Sequence, residues 1–367
     1  MARALGCHLV GSVPLPDTEA VFRQCLAALP GRLKRIPDGE TGVRHYFTLF
    51  QAEVFNAYPA MKTRFEYNAP IQTDTFTPEQ VDEGVEAIQK AGLETGYDKA
   101  AIDSYAVFSR LRDEGVIPHG VRMQVCVPTV ANVLFPFVQK AFQVRIEPIC
   151  EEALFRAIRN IQDAIPHADL AIQIDIAGDT AFWEALNPDT VKENSGLEWY
   201  KPWWEGDVKS YMVDYIVRMI SQVDEDVELG LHNCYGDMDH KHWHEPASLA
   251  VVVERQKLVT EASPRKINWS HMPVPKSAVE RPEVGLDKYL SPLHALRSVL
   301  EKNGTELYLG CVHEHEPQLT KQIIEAAERV VPGLQFGVGT ECGGGRMTWA
   351  AFEDALKTAA DVSSPVL

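Results

Sequence analysis

Apolar and polar positions along this chain switch repeatedly between a two-residue and a three-to-four-residue period, which divides it into elements. Short runs with the period of a strand occupy residues 5–10, 33–36, 121–127, 170–175, 227–231, 266–269, 306–310 and 334–338. Segments with helical spacing occupy 18–29, 78–91, 99–114, 147–165, 208–223, 246–262, 289–302, 318–331 and 348–360. Pro14-Leu15-Pro16-Asp17 reads as the cap of the first helix. Ile172-Gln173-Ile174-Asp175 closes a mostly apolar run, as expected of a parallel strand covered on both faces. Strands alternating with helices require a parallel sheet. Eight such units predict an α/β fold, a single (β/α)8 TIM barrel over residues 1–367 with long loops after its strands. A doubly wound open sheet is the alternative.

Reactive side chains gather where the strands run out. Ser12, Asp38 and Glu40, Thr129, Asp175 and Asp179, His232 and Cys234, His271, His313 and His315, Glu341 and Cys342 all follow strand-like runs. In a barrel those ends form one mouth, where barrel active sites lie. His232 and Cys234 sit two apart at the end of a strand and so project from one face. An imidazole and a thiol so placed suit zinc, although a buried thiol beside a satisfied histidine gives the same pattern. Cys342, in Glu341-Cys342-Gly343-Gly344-Gly345-Arg346, is the candidate third ligand. Three protein ligands leave a fourth position open, as in catalytic zinc sites.

Composition narrows the partners. A formal charge of −17 argues against nucleic acid and anionic membrane, and no apolar run reaches spanning length. The N-terminus lacks the apolar core of a signal peptide. Seven cysteines, an odd number in a long chain, favour a reducing, cytoplasmic compartment over a disulfide framework. A homo-oligomer is compatible with this composition. No dinucleotide or phosphate-loop motif follows an early strand, so no nucleotide cofactor is expected.

At these residues the chain resembles the cobalamin-independent methionine synthase superfamily, with short motifs in the same order across nearly its whole length. Val10-Gly11-Ser12 with Pro14 is similar to that family's first-strand segment. Asp38-Gly39-Glu40, with Arg44 and Tyr46-Phe47, is similar to the segment whose Glu contacts the amino acid acceptor. Ile172 to Asp175 is similar to its Gln-Ile-Asp segment, His232-Asn233-Cys234-Tyr235 to its zinc-binding His-Met-Cys-Tyr, and Glu341-Cys342-Gly343 to its Asp-Cys-Gly. Gly310 to His315 looks like the segment carrying its catalytic histidine. The resemblance implies a (β/α)8 barrel and Zn2+ on His232, Cys234 and Cys342. It also implies Gly11, Ser12, Glu40, Asp175 and Asp179 around the substrate, and His315 or His313 as the acid, with Asp175 in the catalytic group. The partners implied are a small-molecule thiol and an alkyl donor.

Three departures point to a side branch. Ile176-Ala177-Gly178-Asp179 replaces the family's Glu-Pro after Asp175. The family's zinc-ligand Glu on the sixth strand is missing, and His271 is the candidate replacement. The segment from Pro128 to Leu134 lacks the tryptophan on which folate stacks in the family. Alkyl or methyl transfer to or from a thiol, other than folate-dependent methionine synthesis, is the leading expectation, and epoxyalkane:coenzyme M transferase resembles such a branch. A zinc lyase or dealkylase, a catalytically dead barrel kept as a binding protein, and a metal-free decarboxylase like uroporphyrinogen decarboxylase are alternatives. Arg32, Arg35 and Arg44 keep the last in play. Two further features invite a site: Trp183, Trp199, Trp203 and Trp204 as an aromatic substrate wall, and His240, His242 and His244 as a second metal site, against the plainer readings of packing and a solvated loop.

Overall fold

The computed structural model describes residues 4–64, 71–186, 200–236, 242, 244–281 and 283–367. Among these, eight parallel strands form one sheet: β1 (Cys7–His8), β2 (Arg35–Pro37), β3 (Arg122–Pro128), β4 (Leu170–Ile176), β5 (Glu228–Asn233), β6 (Trp269–Pro273), β7 (Glu306–Val312) and β8 (Gly337–Thr340). Strands β2 to β8 are paired in chain order, and β8 pairs with β1. A parallel bridge between Cys7 and Leu33 joins β1 to the chain entering β2 and closes the barrel. There Cys7 N–H donates to the Arg32 carbonyl at 2.8 Å. Helices follow the strands and cover the outside, which makes this a (β/α)8 barrel.

Local chemistry explains the element ends. Asp17 caps the first helix, Thr18–Ala28, by accepting from Ala20 N–H. Pro78–Ala91 opens with proline in its first turn and a reciprocal Thr77–Gln80 capping box. Every residue of β4 is buried, matching its apolar run.

The boundaries differ from the sequence reading where tertiary packing decides. Gly6 at φ +72° splits the run 5–10, so Ala4–Leu5 pairs with Ser363–Ser364 while Cys7–His8 enters the barrel. The helical spacing predicts a start at 147, yet the helix runs Lys140–Ala164. Burial of Phe142 and Ile146 holds its first turns although Pro148 lacks an N–H. The short helices Ala131–Phe137 and Gly178–Glu184 follow β3 and β4 directly and carry no clear amphipathic period, because most of their residues are buried. Strand β6 lies further along than residues 266–269, which brings His271 inside it and opposite His232.

The N-terminal end of the barrel is plugged by Arg35. Its guanidinium lies 4.1 Å from the centre of the buried Trp269 ring and is paired with Glu228 at 2.5 Å and Glu306 at 3.0 Å. Arg35 is therefore a floor residue, at the opposite end from the mouth. Among the described residues no helix is long and apolar enough to cross a membrane.

Candidate functional site

Strand β5 delivers His232 and Cys234 on one face, and the turn leaving β8 delivers Cys342. One ligand atom from each lies within 4.8 Å of the other two. The two sulfurs are 3.6 Å apart, and none of the seven cysteines is in a disulfide. Gly236 N–H donates to Cys234 Sγ at 3.3 Å, and Arg346 Nη2 reaches Cys342 Sγ at 3.9 Å. Such donors favour the thiolate form that a metal needs. Two sulfurs and one imidazole make a borderline-soft donor set that fits zinc and leaves room for an exogenous ligand. His232 is wholly buried. That burial, with His271 and His8 nearby, holds its pKa well below the ordinary histidine value, so the ring is neutral and competent to ligate.

His271 is not part of this three-residue group. Its Nδ1 lies 2.9 Å from Nδ1 of His232, and its Nε2 lies 3.0 Å from the Thr340 carbonyl. Burial pushes its pKa down to about 4.

One strand over, a second group forms. Ligand atoms of Glu40, Cys126 and Asp175 lie within 4.8 Å of one another, all buried. Asp175 is the register partner of His232, so the two groups are neighbours across β4 and β5. Glu40 sits in the left-handed region at φ +47°, a conformation that costs a non-glycine residue about 1–2 kcal/mol. Asp38 holds it there, accepting from Glu40 N–H at 2.9 Å while pairing with Arg44 at 2.6 Å. Gly11 lets the carboxylate come close, since a Cβ there would lie 3.1 Å from Glu40 Oε2. Burial raises the Glu40 pKa to about 7; Arg44 opposes this and the Asp38 charge adds to it. Burial also raises Asp175 well above the carboxylate range, with Glu40 adding and a 2.8 Å bond from Gln173 opposing. Two buried carboxyls facing each other make this the place for a cation or a shared proton.

The other candidates separate. Ser12 ties the end of the first run to the glycine turn: its Oγ accepts from Gly345 N–H at 3.2 Å and its carbonyl from Gly344 N–H at 2.8 Å. Asp179 is completely buried with both oxygens engaged, one by Thr129 and Asn132 and the other by the Tyr215 hydroxyl. His313 is half-buried and donates from Nε2 to the Val274 carbonyl at 2.9 Å. His315, at φ +59°, is exposed, with Nδ1 3.3 Å from Asp354. His242 lies between Glu341 at 2.7 Å and Glu245 at 2.9 Å, and despite its burial these carboxylates raise its pKa to about 10. Trp203 donates to Glu147, Trp204 stacks on Tyr211 and Trp183 donates to Glu254, so these rings pack among the helices. Trp199 and His240 lie outside the described residues. Sequence reasoning missed Cys126. The one signal was the two-residue spacing of Gln124 and Cys126 on one strand and of Gln173 and Asp175 on the next, which the fold makes neighbours by setting Cys126 opposite Gln173.

Fold and donors together define a (β/α)8 barrel with one histidine and two cysteines converging at the C-terminal mouth. No family model and no curated protein sequence matches the chain. Solved structures do. A B12-independent methionine synthase from Shewanella sp. W3-18-1, in complex with selenomethionine, matches over 98% of this chain and 96% of its own, with a TM-score of 0.56 and 12% identity. A putative vitamin B12-independent methionine synthase from Listeria monocytogenes matches over 99% of both chains, with a TM-score of 0.50 and 13% identity. The chain has the fold of the cobalamin-independent methionine synthases, and at this identity the likeness establishes fold and not reaction.

Proposed function

We propose that this protein is a zinc-dependent transferase that moves an alkyl or methyl group to or from a small thiol. The convergence of His232, Cys234 and Cys342 carries the reading. Zinc held by these residues would supply the positive charge that favours the thiolate form of a substrate thiol, making it nucleophilic near neutral pH. The thiolate sulfur forms a bond to the alkyl carbon of the donor as the bond from that carbon to the leaving group breaks, and the leaving group takes a proton. His315, on the loop after β7 and paired with Asp354, is the proposed donor of that proton; its exposure lets it be reprotonated from solvent.

Glu40 and Asp175 would hold the other end of the thiol. Two buried carboxyls beside Gly11 suit a cationic end, such as an ammonium, better than a sulfonate. That favours an aminothiol over coenzyme M. The same residues run in reverse would cleave a thioether, which is the second reading. The decarboxylase alternative weakens because Arg35 belongs to the barrel floor and Arg44 is paired with Asp38.

Elemental analysis of the purified full chain, offered zinc and without chelator, tests the proposal. About one zinc per chain, lost or weakened in Cys342→Ser, is the expected result. Thiol-consumption assays would then show aminothiols preferred over sulfonated thiols. Wild-type protein that takes up no zinc refutes it.

A further inference from the structure

From the hydrogen-bond order around β6 we infer that His271 is not a fourth metal ligand but a positioning residue, which fixes the tautomer of His232 so that Nε2, and not Nδ1, carries the lone pair a metal would take. The inference rests on the proposed zinc site. It begins at Thr340. A carbonyl oxygen can only accept, so His271 Nε2, 3.0 Å away, carries a hydrogen. His271 is wholly buried, which favours the neutral ring, and its Nδ1 is then a bare acceptor. His232 Nδ1 lies 2.9 Å from that acceptor and must donate to it. His232 is also buried and neutral, so its own Nε2 is left without a hydrogen and free to ligate.

The surroundings hold His271 in this role. A Cβ at Gly310 would lie 2.8 Å from both Cε1 and Nε2 of His271, and one at Gly339 would lie 3.6 Å from Nε2. The ring therefore fills space that β7 leaves open only because it carries glycine at 310, and it rests in ordinary contact with the Gly339 position of β8. Its backbone is tied as well. Asn233, between His232 and Cys234, donates from Nδ2 to the His271 carbonyl at 3.2 Å and accepts from Arg255 at 2.8 Å. Both ring nitrogens of His271 are engaged and its carbonyl is anchored. The three-donor set stays open for a substrate sulfur because the second imidazole, His271, is occupied in orienting the first.

Nitrogen-15 NMR of the histidine-labelled, metal-free full chain reads the tautomers directly. The expected result is His232 protonated at Nδ1 and His271 at Nε2. X-ray absorption of the zinc-loaded protein should count one imidazole per zinc, and two would overturn the inference while leaving zinc chemistry intact. His271→Phe removes the acceptor and should weaken zinc binding about 10- to 100-fold. His271→Gln returns a carbonyl acceptor and should restore most of that loss, which a purely structural role would not do. Wild-type affinity in the Phe variant, or the opposite tautomers, overturns the inference. If the Phe variant does not fold, the tautomers and the imidazole count decide. The expected tautomers in a protein that takes up no zinc would uphold the hydrogen-bond order and overturn the proposed function instead.

Discussion

Replacing Glu40 by Gln should remove a pH-dependent loss of stability that the buried carboxyl imposes. In the unfolded chain this group titrates near 4.5, and in the folded protein near 7. Between those values the unfolded chain has released a proton that the folded chain still holds, so stability falls as pH rises. For one carboxyl the penalty is about 1 kcal/mol at pH 5 and about 3 kcal/mol at pH 8. Asp175 acts in the same direction, because removing the Glu40 charge makes its ionisation easier. Urea unfolding of wild type and Glu40→Gln, at both pH values and equal metal loading, measures the effect. The variant should gain about 2 kcal/mol on wild type between pH 5 and pH 8, with unchanged denaturant slope. A difference between the two proteins that is constant across pH would refute the reasoning, because it would mean that Glu40 is not the group whose ionisation burial opposes.

Other substitutions probe the frame and the acid. Gly230→Ala places a Cβ 1.8 Å from Trp269 Cε2, beneath the Arg35 plug, and should destabilise by about 3 kcal/mol or prevent folding, read by urea unfolding and soluble yield. Asp179→Asn keeps the shape but presents an amide to Thr129, Asn132 and Tyr215. It should cost about 1–3 kcal/mol of stability with zinc content unchanged. His315→Ala should leave stability within about 0.5 kcal/mol, since the side chain is exposed, while lowering kcat about 100-fold or more. An unchanged kcat would remove His315 from the mechanism.

The sequence made the strand ends legible because a period of two reports which residues share a face and where an apolar run stops. That suffices to bring His232, Cys234 and Cys342 to one mouth. It does not report which strand is the neighbour or how far along its partner lies. Cys126, flanked by Val125 and Val127, therefore reads as an ordinary core thiol; only in the folded barrel, where it stands opposite Gln173, does its sulfur come within 4.8 Å of carboxylate oxygens of Glu40 and Asp175. His271 looks like a rim residue when β6 is ended early, and becomes an inward one once the strand extends to Pro273. His242 sits in a loop rich in histidine and charge, and its link to Glu341 spans a separation that no local pattern encodes. Arg35 has the same difficulty: an arginine at a strand start resembles a substrate contact until Glu228, Glu306 and Trp269 are seen around it.

The seam between β1 and β8 has a consequence for how the molecule is assembled. These strands are far apart in sequence, yet they are neighbours, and β1 is only two residues long. Closing a ring across such a distance is entropically expensive and late. β8 is held by β7 on its other side, but the glycine turn after Cys342 is tied to Ser12 beyond β1, so a chain that has not sealed its ring carries the His232–Cys234 pair without the tie that holds the last sulfur in place. An ion bound at the completed site would favour the closed ring by mass action. Scarcity of that ion would then be felt first as open sheet edges, prone to pairing with other chains, before any effect on turnover.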